Sequence, residues 1–535
     1  MAHPFRGALV GLDATTLARM TPHPLDRRSP WTRLVPAVVL LAIAVAIWPF
    51  AAGLRAANDD VKWVRAPDHA EPILQALRSA WSKDSSFRPL EVLVAHASDD
   101  VTLESTAAAC VQAAGLAAAL LGLRRLCRLC CDDCDALFVP AALFLLLSPA
   151  TTCSAWQIDT CSQTWAAALG AWAVALAWEA VIAARSGTVP WRSLMLLVLV
   201  CGVAVNLKET FYGWSLGLGV VTLGAAAWMA RSNRAAAARA SLVLLPTVAI
   251  PVAHLLLRVA TGPIKERLTM GEGDRYQIEL GMNLVINAGM SVGGALATGP
   301  FHLLTDDHAH ALLRMLPLAS ILVAGAMLLI TAGFAIMARR WPAGLRPGAL
   351  AFSVSACVLS LSATLPMGSV SELYGFGANI GVAIAFAACV HALLGNQQPD
   401  ERRIARGACV ASVAVLATVG AYGLASRAAH YRITWESADR MNKWIVDFQP
   451  TLAPTAGGGE EAAGAVYLGE LCILDRTYGQ YVIPPAQAIN PEATEPWLAR
   501  RDPQRRIVFA LGTPPAGDRR CLAPDCSTLT SHGHW

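Results

Sequence analysis

Charge is what this chain has least of: Asp, Glu, Lys and Arg make up 15% of its 535 residues, against about 25% in an ordinary soluble domain. With 55% of residues apolar, that shortage excludes a single water-soluble globule. The formal charge of +4 supplies no basic surplus that would point to a nucleic-acid partner, so the placement of charge carries the information. No period of about 30 to 40 residues recurs, which argues against a repeat array. A cleavable signal peptide is also missing: the first apolar run is long and follows a polar leader, so it is expected to act as a signal anchor.

What the chain has instead is apolar runs of spanning length. About eleven membrane segments are expected, at 34–54, 105–123, 136–148, 160–184, 194–207, 211–230, 241–259, 312–338, 349–366, 380–394 and 408–425. Two of them, 136–148 and 194–207, fall below the roughly 17 residues of a comfortable span, which suggests broken or partly buried helices lining a cavity. Arginine sets the orientation. Arg27 and Arg28, the cluster of Arg124, Arg125 and Arg128, then Arg185, Arg231, Arg339 and Arg402 mark loops that alternate with loops poor in cations. By the positive-inside rule the arginine loops are cytoplasmic. The loop after the first span, the neighbourhood of Lys208, a long loop at 262–308 and the tail after residue 425 then share the opposite side.

The expected fold is an all-α polytopic membrane protein with a small C-terminal α/β domain. Its parts are a cytoplasmic leader at 1–32, a membrane core at 33–425 with an outer loop at 55–104, and an extracytoplasmic domain at 426–535. In the outer loop "PILQALRSAW" and "PLEVLVAHA" have apolar residues at helical spacing and read as amphipathic helices on the membrane surface. In the tail, Trp435, Met441, Trp444 and Ile445 form one helical stripe, and after a Gly-rich linker "AVYLGEL", "QYVIPP" and "RIVFALG" read as short strands.

The fourteen cysteines divide by compartment on this map. Cys472, Cys521 and Cys526 in the tail, and Cys153 with Cys161, are candidates for disulfides whose pairing the sequence leaves open. The run of Cys127, Cys130, Cys131 and Cys134 has a spacing that superficially suits a metal. Its short loop, bracketed by helices, favours small apolar filler.

Candidate chemistry gathers at the outward ends of spans: Asn58-Asp59-Asp60, Arg88, Lys208-Glu209 and Glu372 in "SVSELYGFGAN", with Tyr374 beside it. Ionisable groups at span ends are costly unless solvated or paired, so a cluster on one side points to a polar cavity. Arg88 and Lys208 would hold a phosphate, Arg by a planar fork and Lys as a point charge, while a nearby carboxylate would take a proton from a hydroxyl. Each residue also has a plainer reading. The two aspartates would be solvated acids at a helix exit, Arg88 would snorkel to headgroups, Lys208 and Glu209 would be a boundary ion pair, and Glu372 and Tyr374 would be interface anchors. Asp59 and Asp60 would also suit a divalent cation such as magnesium or manganese, as oxygen ligands.

The ordered set resembles a family. An acidic pair after the first span, Arg88-Pro89-Leu90 near the end of the first outer loop, the Pro-containing "SPATTCSAWQIDTCSQTW" and a Lys-Glu closing a short helix look like the polytopic C-type (GT-C) glycosyltransferases. The branch most similar contains the protein O-mannosyltransferases and the tetratricopeptide-bearing O-mannosyltransferases. The resemblance covers roughly 34–395 and implies a sugar donor carried on a polyprenyl phosphate, with a first-loop acid as catalytic base. Carried onto this chain it gives the base role to Asp60 or Asp59 and donor-phosphate contacts to Arg88 and Lys208. Glu209 would orient Lys208 or a sugar hydroxyl, and Arg275 with Tyr276 in "GDRYQIELGMN" would cover the donor. Ser148-Pro149 followed by Cys153 stands where the tetratricopeptide-bearing members have His-Pro and an acid, and the tail has no repeats. The sugar, and whether the acceptor is a glycan, lipid or protein, stay open. The Ala- and Arg-rich composition suits a bacterial inner membrane. Two other classes are a lipid-linked glycan transporter, for which the chain lacks paired halves and mid-span acids, and an O-antigen-type polymerase, for which its outer loops hold few arginines.

Overall fold

The computed structural model describes residues 30–56, 59–65, 71–83, 88–261, 281–296, 329–338, 341–367, 372–395, 401–447, 465–468, 491–501, 508–511 and 521–522. Its helices are Val35–Ala52 (α1), Asp59–Val64 (α2), Ile73–Lys83 (α3), Pro89–His96 (α4), Thr106–Cys130 (α5), Cys134–Leu147 (α6), Pro149–Ala155 (α7), Cys161–Arg185 (α8) and Trp191–Leu207 (α9). There follow Phe211–Ala230 (α10), Arg234–Ser241 (α11), Ile250–Thr261 (α12), Met282–Leu296 (α13), Leu329–Ala338 (α14), Pro347–Leu359 (α15), Glu372–Gly395 (α16), Glu401–Asp447 (α17) and Pro491–Arg501 (α18). Among the described residues seven helices are long and apolar enough to cross a membrane, and the bent pair α6 and α7 would add an eighth. Three of the remaining expected segments are shorter apolar helices, at Trp191–Leu207, Leu329–Ala338 and Pro347–Ala363. The protein is a nearly all-helical polytopic membrane fold. A helix also lies inside the expected loop at 262–308, where α13 lays Asn287 against the carbonyls of Leu365 and Met367, at 2.8 Å each.

Loop contacts gather at the two ends of the helices. At one end Arg346 bonds Asp132 at 2.6 Å, Arg124 pairs with Asp135, Thr32 donates to Asp135 and Arg239 donates to the Ala184 carbonyl. At the other end Arg55, just past α1, pairs with Glu104 at 3.0 Å and with Asp439 at 3.4 Å.

The short segment at 136–148 is a broken helix, and its sequence explains the break. Pro149 restricts the residue before it, and Ser148 is extended, so α6 and α7 meet at 66°. The freed groups at the break are bonded rather than left bare, as a membrane interior demands. Arg427, fully buried on α17, donates to the Leu147 carbonyl at 2.9 Å, and Asn379 donates to the Ser148 hydroxyl. Pro49 in α1 creates a second orphan, since it has no N–H for the Val45 carbonyl. Trp156 supplies that bond from its indole at 2.9 Å.

Small residues let the helices approach closely, as membrane packing favours. A Cβ added at Gly213 on α10 would overlap the Ser360 carbonyl oxygen, which is backbone and cannot swing away. Gly213→Ala should therefore lower thermal stability in detergent by about 1–3 kcal/mol. Gly202→Ala, where nothing lies within 4 Å, should be neutral or better. Equal melting points for the two variants would contradict this packing.

In the tail, the last span and the predicted amphipathic helix are one continuous element, α17, which crosses the expected boundary at 425/426 without a break. The reason is visible in its packing: past the apolar stretch, Tyr431 packs against Trp156 and Trp435 against Tyr431, so burial continues and the helix has no cause to stop. Two predicted strands are present as β1 (Ala465–Leu468) and β2 (Val508–Leu511), and β3 (Cys521–Leu522) adds a third. All pair in parallel, in the order β2-β1-β3. The predicted strand "QYVIPP" lies outside the described residues.

Helix α18 clamps this tail onto the first outer loop. Arg65, 1% exposed, donates to Thr494 at 2.8 Å, bonds Asn442 on α17, and lies 4.2 Å over the Trp497 ring. Trp497 donates to Asp100 at 3.0 Å. Burial pulls the Arg65 pKa down to about 9, with Asp100 working in the other direction.

Candidate functional site

The site is built from the ends of four elements. Arg88 is the residue before α4, with Pro89 at the first helical position, and this places Glu91 on the same face three residues on. Lys208 closes α9 in an extended conformation, and Glu209 and Thr210 lead into α10. A cation at the C-terminus of one helix and an anion at the N-terminus of the next each complement the local dipole. Thr210 anchors the turn by donating to Gln163 on α8 at 2.8 Å.

These elements bring four charges into one ring. Arg88 Nη2 donates to Glu209 Oε1 at 2.6 Å and Nη1 to Glu91 Oε2 at 3.2 Å. Lys208 Nζ lies 3.5 Å from the other oxygen of Glu91. Exposure is 1% for Glu91, 4% for Lys208 and 8% for Glu209, with 15% for the Arg88 side chain. Formal charge within the ring sums to zero. Water competes little at such burial, so each pair is strengthened, while loss of any one member would leave a charge stranded.

Electrostatics follow the geometry. Burial opposes the Arg88 charge, yet Glu209 and Glu91 together hold its pKa well above the ordinary arginine value, with Tyr374 contributing. For Glu209, burial alone would raise the pKa, but Arg88 first and Lys208 second bring it down to about 2. A carboxylate with a depressed folded-state pKa adds stability above its unfolded value, and that stability is lost as pH falls toward the folded one. Acidification from about pH 5 toward about pH 2 should therefore steepen unfolding. In Glu209→Gln, thermal melts across that window should show a shallower acid slope; an unchanged slope would remove Glu209 as its source.

The first outer loop contributes Asp60 on α2. Asp60, 4% exposed on α2, accepts the Asp159 backbone N–H at 2.8 Å. Asp159 sits on the turn that follows the broken helix, where Gln112 donates to the Gln157 carbonyl at 2.6 Å and the Thr160 hydroxyl to the Ser154 carbonyl at 2.8 Å. From there Cys161 is within electrostatic reach of Glu91, Asp159 and Lys208. On the other flank the Arg88 guanidinium lies 5.9 Å from the Trp63 ring of α2. Asp60 and Trp63 share α2, and Asp159 precedes Cys161 by two residues.

Several sequence expectations change. Glu209 pairs with Arg88, whereas Lys208 takes Glu91 as its partner, because the turn at 208–210 sends consecutive side chains apart. Cys153 and Cys161 are both buried and are not joined by a disulfide. Glu372 starts α16 two residues before half-buried Tyr374. Asp59 is the first residue of α2; its side chain and that of Glu372 lie outside the described residues, as do Arg275, Tyr276, Cys472 and Cys526 entirely. The cysteine run is split between the ends of two helices: Cys127 and Cys130 are buried on α5, and Cys134 begins α6. Among the described residues no three His, Cys, Asp or Glu side chains are placed to hold a metal ion.

Glu91 and Asp159 escaped the sequence reading. Glu91 sits in a helix whose other positions suggested only amphipathicity, although its spacing from Arg88 was a usable signal. Asp159 acts through its backbone N–H, for which side-chain identity gives none.

No protein-family model matches the chain, and no curated protein does. Among solved structures, the crystal structure of ArnT from Cupriavidus metallidurans bound to undecaprenyl phosphate is similar, at 14% sequence identity and a TM-score of 0.42, over 89% of this chain and 90% of that one.

Proposed function

We propose that this protein is a membrane glycosyltransferase that moves a sugar from a polyprenyl-phosphate donor to a glycan, lipid or protein acceptor. The observation that carries the reading is the convergence of Arg88 and Lys208, from segments 120 positions apart (208 − 88), on the buried carboxylate of Glu91. Cations held this dry at a bundle end need a reason beyond solubility, and a lipid phosphate is one that suits both side chains.

In this reading Asp60 is the general base. It takes the proton of the acceptor hydroxyl as that oxygen attacks the anomeric carbon. Arg88 and Lys208 receive the charge that develops on the departing phosphate, where their burial makes the interaction effective. Tyr374, Arg275 and Glu372 are assigned to the donor as well, with Tyr276 covering it, and Asp59 shares the acidic edge of the site. The arginine-rich end faces the cytoplasm of a bacterial inner membrane, so the site and the domain at 426–535 face the periplasm, and the core at 33–425 carries the chemistry. The protein O-mannosyltransferase branch is the kinship we favour, with the sugar left to assay.

The test is turnover in lipid nanodiscs. Purified protein given a short-chain prenyl-phosphate sugar and a pool of periplasmic acceptors should release prenyl phosphate and label an acceptor. Binding of the donor without any bond cleavage, together with its movement across a vesicle bilayer, would favour a transporter and overturn the enzyme reading.

A further inference from the structure

A site meant to hold a phosphate carries two cations, yet here both are already matched by carboxylates. Glu91 is the hinge of that arrangement. Among the described residues it is the carboxylate that touches both Arg88, at 3.2 Å, and Lys208, at 3.5 Å, and at 1% exposure its charge is not screened by solvent. We propose that Glu91 is a positioning and specificity-determining residue, whose carboxylate cancels enough of the two cations' charge for the site to hold a singly charged prenyl phosphodiester and release a doubly charged prenyl phosphomonoester. The inference rests on the sugar-transfer reading above.

The charge change comes from the reaction itself. The bond from the anomeric carbon to the donor phosphate oxygen breaks, the acceptor oxygen bonds to that carbon, and the acceptor proton passes to Asp60. The electron pair stays on the phosphate oxygen. A phosphodiester with one negative charge thereby becomes a monoester whose second ionisation falls near pH 6, as for other phosphate monoesters, at about −1.5 to −2 at pH 7. Two unmatched cations would bind that product more tightly than the donor, because Coulomb energy scales with the product of charges. A ring of zero formal charge gives no such advantage, while the dianion has more hydration to lose on entering a dry site. Glu209 contacts Arg88 and contributes to the same balance, but Glu91 also holds Arg88 and Lys208 at a common spacing.

The experiment uses the full chain in nanodiscs and two probes, a short-chain prenyl monophosphate and its methyl phosphodiester, with affinities read by isothermal titration. In Glu91→Gln the monoester should bind about tenfold more tightly relative to the diester than it does in wild type. In turnover, kcat should fall with little rise in donor KM, as product leaves slowly. Glu91→Asp, which keeps the charge, should restore the wild-type ratio. The other titratable groups near these charges, Asp159, Cys161 and Tyr374, are the same in wild type and variant, so their effect cancels when the two ratios are compared. A folded Glu91→Gln with an unchanged ratio, or with both affinities weakened equally as a purely structural role requires, overturns the proposal. Should Glu91→Gln not fold, wild type decides: from about pH 5 to pH 8 the affinity for the monoester should fall while that for the diester stays level, and a rising monoester affinity overturns it. If wild type binds neither probe, the sugar-transfer reading itself fails, which is a separate result.

Discussion

Asp60→Asn should reduce sugar transfer by about 10²- to 10⁴-fold, the contribution typical of a positioned general base, and leave the protein folded. The choice of asparagine follows from the structure. Asp60 accepts the Asp159 N–H, and an amide oxygen accepts it equally well, so the hydrogen bond survives while the proton acceptor is lost. Asp60→Ala should add a structural penalty of about 1–3 kcal/mol, because the Asp159 N–H would lose its Asp60 acceptor at a half-buried position. Comparing the two separates chemistry from architecture. Asp59→Asn is the necessary companion, since both aspartates begin α2. Full turnover in both single variants and in the double variant would eliminate the proposed base.

Arg88→Ala should be the most destabilising single change at the site, at about 3–5 kcal/mol, the usual consequence of removing one partner from a buried ion pair. Glu209 and Glu91 would both lose their guanidinium contacts, leaving Lys208 as the one cation of the four to face two buried carboxylates. The informative comparison is Arg88→Met combined with Glu209→Leu. Apolar side chains of similar bulk often replace a buried ion pair without loss of stability, and the remaining Lys208 and Glu91 pair keeps itself neutral. Thermal stability should return toward wild type, while transfer stays low for want of the phosphate fork. Recovery of both together would mean that the ring is only a structural element of the loop. Failure of both would mean that α4 requires the charges for its position.

The lessons differ from residue to residue. Lys208 and Glu209 were readable because opposite charges at a helix junction break an otherwise apolar pattern. Arg88 stood out as the cation of an Arg-Pro-Leu run near the end of the first outer loop. Their partners were assigned differently from the structure, since sequence adjacency suggested a Lys208 and Glu209 pair, while the backbone turn between α9 and α10 sends the two side chains to different neighbours. The break at Ser148-Pro149 was anticipated from a short apolar run. Its repair by Arg427, 279 positions later (427 − 148), had no local signature, because a carbonyl left bare in one helix says nothing about which distant side chain will reach it.

By itself the sequence determined the class of fold, a nearly all-helical chain with several apolar spans, because this follows from the cost of placing charge and bare peptide groups in hydrocarbon, a cost each segment meets locally. Only the tertiary structure decided which carboxylate neutralises which cation, that α17 runs unbroken past its span, and that Asp60 leans on a backbone N–H of the Asp159 turn. Those outcomes depend on packing between segments far apart in the chain, where a few ångströms of helix placement choose one partner over another and no local pattern records the choice.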